Sequence, residues 1–155
     1  MFTAICEDDA GRSYTGALYH AGCLAALPWG DEAFDCVVFL RGSTQTPAAR
    51  TELSRELARA NVDWVQVAGD GAEELHDAID RASVFVGRQQ FVGNGSPMTS
   101  WHEEAQSAED MAEVAALCFG GQNHVLVLVV GEERDLSDSV AAVKRCVERD
   151  ADSFS

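Results

Sequence analysis

Between residues 34 and 149 the apolar positions switch repeatedly from continuous or alternating runs to spacings of three and four. This is the pattern of strands alternating with helices. Phe34–Leu40 is rich in β-branched and aromatic residues and predicts a strand. Thr46 followed by Pro47 predicts a capped helix start, because the fixed φ of proline suits the first helical position and its missing N–H is not needed there. That helix is expected to reach Ala60, burying Leu53 and Leu57 and turning the pairs Glu52 with Arg55 and Glu56 with Arg59 to solvent.

Val62–Val67 reads as a second strand, and Gly69, Asp70 and Gly71 turn the chain into a second helix. Asp70 with Glu73 has the spacing of a capping box, and Leu75, Ala78, Ile79 and Ala82 form its inward stripe. Ser83–Gly87 predicts a short third strand. Ser107 caps a further helix with the apolar face Met111, Val114, Ala115 and Cys118, which Gly120 and Gly121 stop. Val125–Val130 has no polar alternation, so it needs cover on both faces and reads as a central parallel strand. Leu136, Val140, Val143 and Val147 mark a last helix, ending near Arg149 before a frayed tail at 150–155. Ahead of residue 34, Phe2–Cys6 and Arg12–Tyr19 read as strands, and His20–Leu27 as a helical turn broken by Pro28.

This order predicts a three-layer α/β/α sandwich with a mainly parallel sheet, Rossmann-like or flavodoxin-like. The 155 residues suit one domain spanning 1–155. Residues 87–106 show no sustained period and are expected to form a long functional or lid loop.

Charge narrows the partners. Eleven basic residues against 26 acidic ones give a formal charge of -15, which repels phosphate backbones and anionic headgroups, so neither nucleic acid nor a membrane surface is expected as a partner. A basic protein is the partner such a surface suits, and an acidic inhibitor or immunity-type protein is one functional alternative. The first nine residues carry no basic n-region, so no signal peptide is expected, and the longest apolar run is too short for a bilayer. Five scattered cysteines without a C-x-x-C pair argue for a reducing, cytoplasmic setting.

Loops that follow parallel strands are where ligands bind in open α/β sheets. Arg41 and Arg88 open two of them, and Ser43 and Thr44 lead into a helix N-terminus, so the expected site is a strand-end crevice for a small anion. Asp70, Ser96, Thr99, Trp101, His102 and Glu103 complete its expected lining. The leading expectation is a non-catalytic ligand- or protein-binding module. A small hydrolase or transferase on an anionic substrate is the enzymatic alternative, with His102 as base, Glu103 or Asp70 orienting it, and Ser96, Thr99 or the substrate as nucleophile.

Known motifs are absent. Gly93-Asn-Gly95 begins a G-x-G, but Met98 stands where the third glycine belongs; no P-loop or G-x-S-x-G occurs. The four histidines lack metal-ligand spacing, so no metal and no cofactor are expected, and His124 is expected on the sheet edge away from the crevice. Self-association is a further alternative, because Trp29, Trp64 and Trp101 offer more aromatic surface than a small core absorbs. Only one basic and two acidic residues fall within 83–106, so the acidity belongs to the helix-bearing regions and a contact surface is best sought between Ser83 and Gln106.

Overall fold

The computed structural model describes residues 1–42, 46–87, 98–117 and 121–153. Two N-terminal strands, β1 (Phe2–Glu7) and β2 (Ser13–Leu18), form an antiparallel hairpin. Asp8 closes its turn by accepting from the amides of Ala10 and Arg12 at 3.0 and 2.9 Å, while Gly11 takes the left-handed φ of 83° that the turn requires. A 3-10 turn (Cys23–Ala26) follows, and then β3 (Phe34–Leu40), α1 (Pro47–Arg59) and β4 (Val62–Gly69). After these come α2 (Ala72–Gly87), β5 (Met98–His102), α3 (Ala108–Leu117), β6 (His124–Val130) and α4 (Glu133–Ser153).

Among the described residues the fold is α/β: one six-stranded sheet in the order β1-β2-β6-β3-β4-β5, parallel except at β1, with four helices. β6 sits between β2 and β3, and Val125 to Val129 are wholly buried, as the unbroken apolar run predicts. Alternate residues of β3 and β6 feed two separate apolar clusters. Val37, Phe39, Val125, Val127 and Val129 join α3 and α4, whereas Cys36, Val38, Leu40, Leu126 and Leu128 join α1, α2 and the 3-10 turn. Each fully buried Leu or Val in these clusters contributes about 1.5–3 kcal/mol.

Two helix starts follow the expected capping. Thr46 Oγ1 accepts from Ala49 N at 3.1 Å, with Pro47 at the first helical position, and Ser107 Oγ accepts from Asp110 N at 3.0 Å. Four expectations are corrected. Ser83–Gly87 is the end of α2 and not a strand: Leu75, Ile79 and Ser83 are buried at spacings of four, so the amphipathic stripe continues and overrides the β propensity of the run. The strand lies instead at Met98–His102, inside the stretch expected to be a loop, where Trp64 to Ala68 of β4 offer it a parallel ladder. Asp70 and Glu73 make no capping box; Gly71 precedes the helix, and its carbonyl accepts from Leu75 N at 3.1 Å. The expected frayed tail is helical through Ser153, and α4 begins three residues early, where Asp135 Oδ2 accepts from Glu132 N at 2.8 Å.

β3, β4 and β5 step outward in one direction, and the chain then returns to place β6 on the other side of β3. The strand order therefore reverses between the carboxyl ends of β3 and β6, beside Arg41 and Gly131.

Candidate functional site

Arg41 stands at this reversal, but its guanidinium is committed to the protein. Nη1 donates to Gln106 O, Nε lies 3.7 Å from Asp135 Oδ1, and the group sits 5.1 Å over the Phe39 ring. The arginine thus straps the start of α3 to the start of α4. The adjoining cleft of about 340 Å3 also holds Arg145, which Glu109 binds at 2.8 Å, together with Asp138. Acidic groups outnumber arginines there, so among the described residues this corner carries no unmatched cation for an anion. Gly131 allows the strap to form, since a Cβ on it would stand 2.6 Å from Asp135 Oδ2 and 3.0 Å from Arg41 Cβ.

Among the described residues, the other expected site residues do not converge. Ser43, Thr44, Arg88 and Ser96 lie outside the described residues. The pleat of β5 then separates neighbours in sequence onto opposite faces. Thr99 and Trp101 face α2: Thr99 Oγ1 donates to Asp80 at 2.6 Å, and the Trp101 ring, 46% exposed, lies 4.5 Å from that of His76. His102 faces the other way, with Nε2 2.7 Å from Gln66 Oε1 and Nδ1 3.5 Å from Glu104. Neither Glu103 nor Asp70 orients it, and no described hydroxyl is hydrogen-bonded to it.

The structure instead gathers polar chemistry in two places that the sequence pattern does not mark. One is a groove of about 840 Å3 between the 3-10 turn and α1, lined by Leu24, Ala25, Pro47, Ala48, Arg55 and Arg59 among others. The expected pair of Glu56 with Arg59 does not form. Glu56 Oε2 accepts from Tyr19 OH at 2.5 Å and Oε1 from Gly22 N at 2.9 Å, which anchors the 3-10 turn to α1. Burial, and then that hydrogen bond, push the Tyr19 hydroxyl's pKa up, so it remains a donor. Among the described residues Arg55, Arg59 and Glu52 have no partner along the groove, whose lining holds two cations and two carboxylates, Glu52 and the hydrogen-bonded Glu56. The signal available beforehand was Tyr19, a phenol followed by a helical turn, which competes for any carboxylate on α1.

The second place is the amino-terminal edge of the sheet. Ser13 and His124 are in-register first residues of β2 and β6, and Ser13 Oγ lies 3.0 Å from His124 Nδ1. His124 Nε2 lies 2.9 Å from Glu32 Oε2, and Trp29 stacks on the imidazole at 4.8 Å and 9°. Ser13 and His124 are 111 positions apart, so only the pairing of β2 with β6 brings them together. At the same edge Asp35 is buried. Its desolvation and the nearby Asp63 push its pKa up to about 6, against Arg12 and the amides of Gln122 and Trp64, and its Oδ2 has no partner among the described residues. Burial likewise pushes up the thiols of Cys6, Cys23, Cys36 and Cys146, which keeps them protonated and unreactive.

Among the described residues no group of three His, Cys, Asp or Glu side chains is placed to hold a metal ion. Among them, too, no helix is long and apolar enough to cross a membrane. The fold and these surfaces define a small acidic α/β domain with an open groove on one helix. Residues 18–149 match a family described as a domain of unknown function, DUF7684, and the chain belongs to that family. The match contains the whole groove and both His124 and Glu32, and begins after Ser13. No curated protein matches the chain.

Proposed function

We propose that the protein is a ligand-binding module whose site is the groove between the 3-10 turn and α1, and that its ligand is a small amphipathic anion, an acid group joined to an apolar tail. The carrying observation is that Arg55 and Arg59 have no partner among the described residues, stand four residues apart on one helix face and line a groove with Leu24, Ala25 and Pro47. In a chain of net charge -15, two exposed guanidinium groups beside apolar surface can hold an acid group while its tail lies on Leu24, Ala25 and Pro47; Glu52 and Glu56 balance their charge, so hydrogen bonding to the arginines and not net charge selects the anion. The volume lies within the range of small-molecule sites, about 300–1,000 Å3. A hydrogen bond to a charged group is worth about 1.5–3 kcal/mol, and each buried methylene about 0.8 kcal/mol. Among the described lining residues the only hydroxyl, Thr51 Oγ1, donates to Pro47 O and not to a base, so the reading is one of binding.

Calorimetric titration with decanoate tests it. Wild type binds, decanol binds more weakly, and the Arg55→Ala/Arg59→Ala variant loses at least about tenfold in affinity. Equal affinity of wild type and double variant for decanoate would overturn the proposal. The three-layer arrangement and the Rossmann-like or flavodoxin-like class belong to the same reading, supported by the alternation of β3 and β6 residues between two clusters. So does a cytoplasmic setting, supported by the scattered cysteines.

β5 favours a second reading, a basic protein partner. It is an edge strand that exposes Met98 and Trp101, 62% and 46%, near Asp77, Asp80, Glu103 and Glu104. An extended basic segment would add a strand here and cover the indole. Quenching or shift of Trp101 fluorescence by a Lys-rich β-forming peptide, lost in Trp101→Ser and weakened by salt, supports it; an unaltered signal contradicts it.

A further inference from the structure

Beyond binding at the α1 groove, and independently of it, we propose that Ser13 is a nucleophile activated by His124 for acyl transfer from a small apolar carboxylic ester. Three groups at the amino-terminal sheet edge already stand in a hydrogen-bonded line. Glu32 Oε2 is 2.9 Å from His124 Nε2, and His124 Nδ1 is 3.0 Å from Ser13 Oγ. A carboxylate cannot donate, so the Nε2 proton goes to Glu32, and Nδ1 is left with the lone pair that accepts from the Ser13 hydroxyl. This is the relation of nucleophile, base and orienting acid that acyl-transfer sites require, with the two ring nitrogens exchanged in role.

The surroundings support reaction rather than a plain cross-strand hydrogen bond. The three side chains share the wall of a cavity of about 610 Å3 with Ile5, Pro28 and Trp29, apolar surface suited to an acyl chain. Trp29 stacked at 9° fixes the plane of the imidazole, and its Nε1–H is buried in the same wall with no acceptor among the described residues. A buried donor without a partner costs about 1–3 kcal/mol, a cost that a carbonyl oxygen reaching it would relieve.

The chemistry balances without a co-reactant other than water. Ser13 Oγ forms a bond to the ester carbonyl carbon as its proton passes to His124 Nδ1. The tetrahedral centre expels the alkoxide, which takes that proton and leaves as alcohol. Water then gives a proton to Nδ1 and attacks the acyl carbon; Ser13 Oγ leaves and is reprotonated, releasing the carboxylic acid. Ser13 and His124 would be the catalytic residues and Glu32 a positioning residue, 65% exposed and so replaceable without disturbing the core.

A fluorophosphonate probe followed by peptide mass spectrometry tests the proposal, with p-nitrophenyl butyrate hydrolysis in parallel. Wild type is expected to carry the adduct on Ser13. Ser13→Ala abolishes it, and His124→Gln slows both reactions by about 100-fold or more. Glu32→Gln keeps the fold by circular dichroism. It is expected to move the imidazole proton from Nε2 to Nδ1 in 15N NMR spectra and to lower the labelling rate about tenfold or more. No adduct on Ser13, equal labelling of His124→Gln, or a shifted tautomer with unchanged rate would overturn it.

Discussion

Two concave surfaces of this molecule carry two arginines each, and they differ in what the arginines already hold. At the α3–α4 corner Arg41 is bound by Gln106 O and Asp135, and Arg145 by Glu109. Along α1, Arg55 and Arg59 have no partner among the described residues, and Tyr19 and Gly22 claim Glu56. The first surface lies at the reversal of strand order, the position that fold-level reasoning favours; the second lies along a helix face that a sequence pattern assigns to solvent. On the proposed reading, a count of which donors and acceptors remain unmatched ranks sites better here than position in the fold.

Replacing both groove arginines should have the largest effect. Arg55→Ala/Arg59→Ala is expected to cost about 2–3 kcal/mol of decanoate binding, close to 100-fold, while leaving stability within about 0.5 kcal/mol, measured by calorimetry and urea unfolding. Gly131→Ala attacks the other surface: its Cβ would meet Asp135 at 2.6 Å and Arg41 at 3.0 Å, so about 1–3 kcal/mol of stability should be lost with decanoate affinity unchanged.

Asp35 extends the contrast to a group whose oxygen the fold leaves unmet. Folding raises its pKa from the ordinary 3.8 to about 6, so the native state binds the proton more tightly than the unfolded chain. Its contribution to stability therefore falls as pH rises from about 4 to about 6 and is least favourable above that. Asp35→Asn should gain about 1–2 kcal/mol at pH 7.5, fading towards pH 4, in urea titrations across that range. Arg41→Ala should have the smallest effect, about 1 kcal/mol, because the strap is partly exposed and screened.

Much of the fold was legible in the sequence because its signals are local. The Thr46–Pro47 start, the Ser107 cap and the unbroken Val125–Val130 run each encode their element within a few residues. β5 was hidden because Met98–His102 lacks an apolar alternation; only the ladder offered by β4 makes it a strand. Ser83–Gly87 misled for the opposite reason, since its β-branched and aromatic residues hide a helical stripe that starts at Leu75.

The candidate sites were less legible. Trp101 and His102 are adjacent in the chain and opposed across the pleat. The groove depends on Glu56 choosing Tyr19 and Gly22 over Arg59, and Ser13 meets His124 only through the pairing of β2 with β6. Such choices are tertiary, and spacing along the chain does not carry them.

The central claim is that the unmatched arginines of α1, and not the matched ones at the reversal of strand order, mark the ligand site. Amide chemical-shift mapping of the 15N-labelled protein during a decanoate titration tests this directly. The account predicts saturable shifts centred on Leu24, Ala25, Ala48, Arg55 and Arg59, absent from the Arg55→Ala/Arg59→Ala variant. Shifts centred instead on Arg41, Ser107 and Arg145, or shifts that persist in that variant, would contradict it.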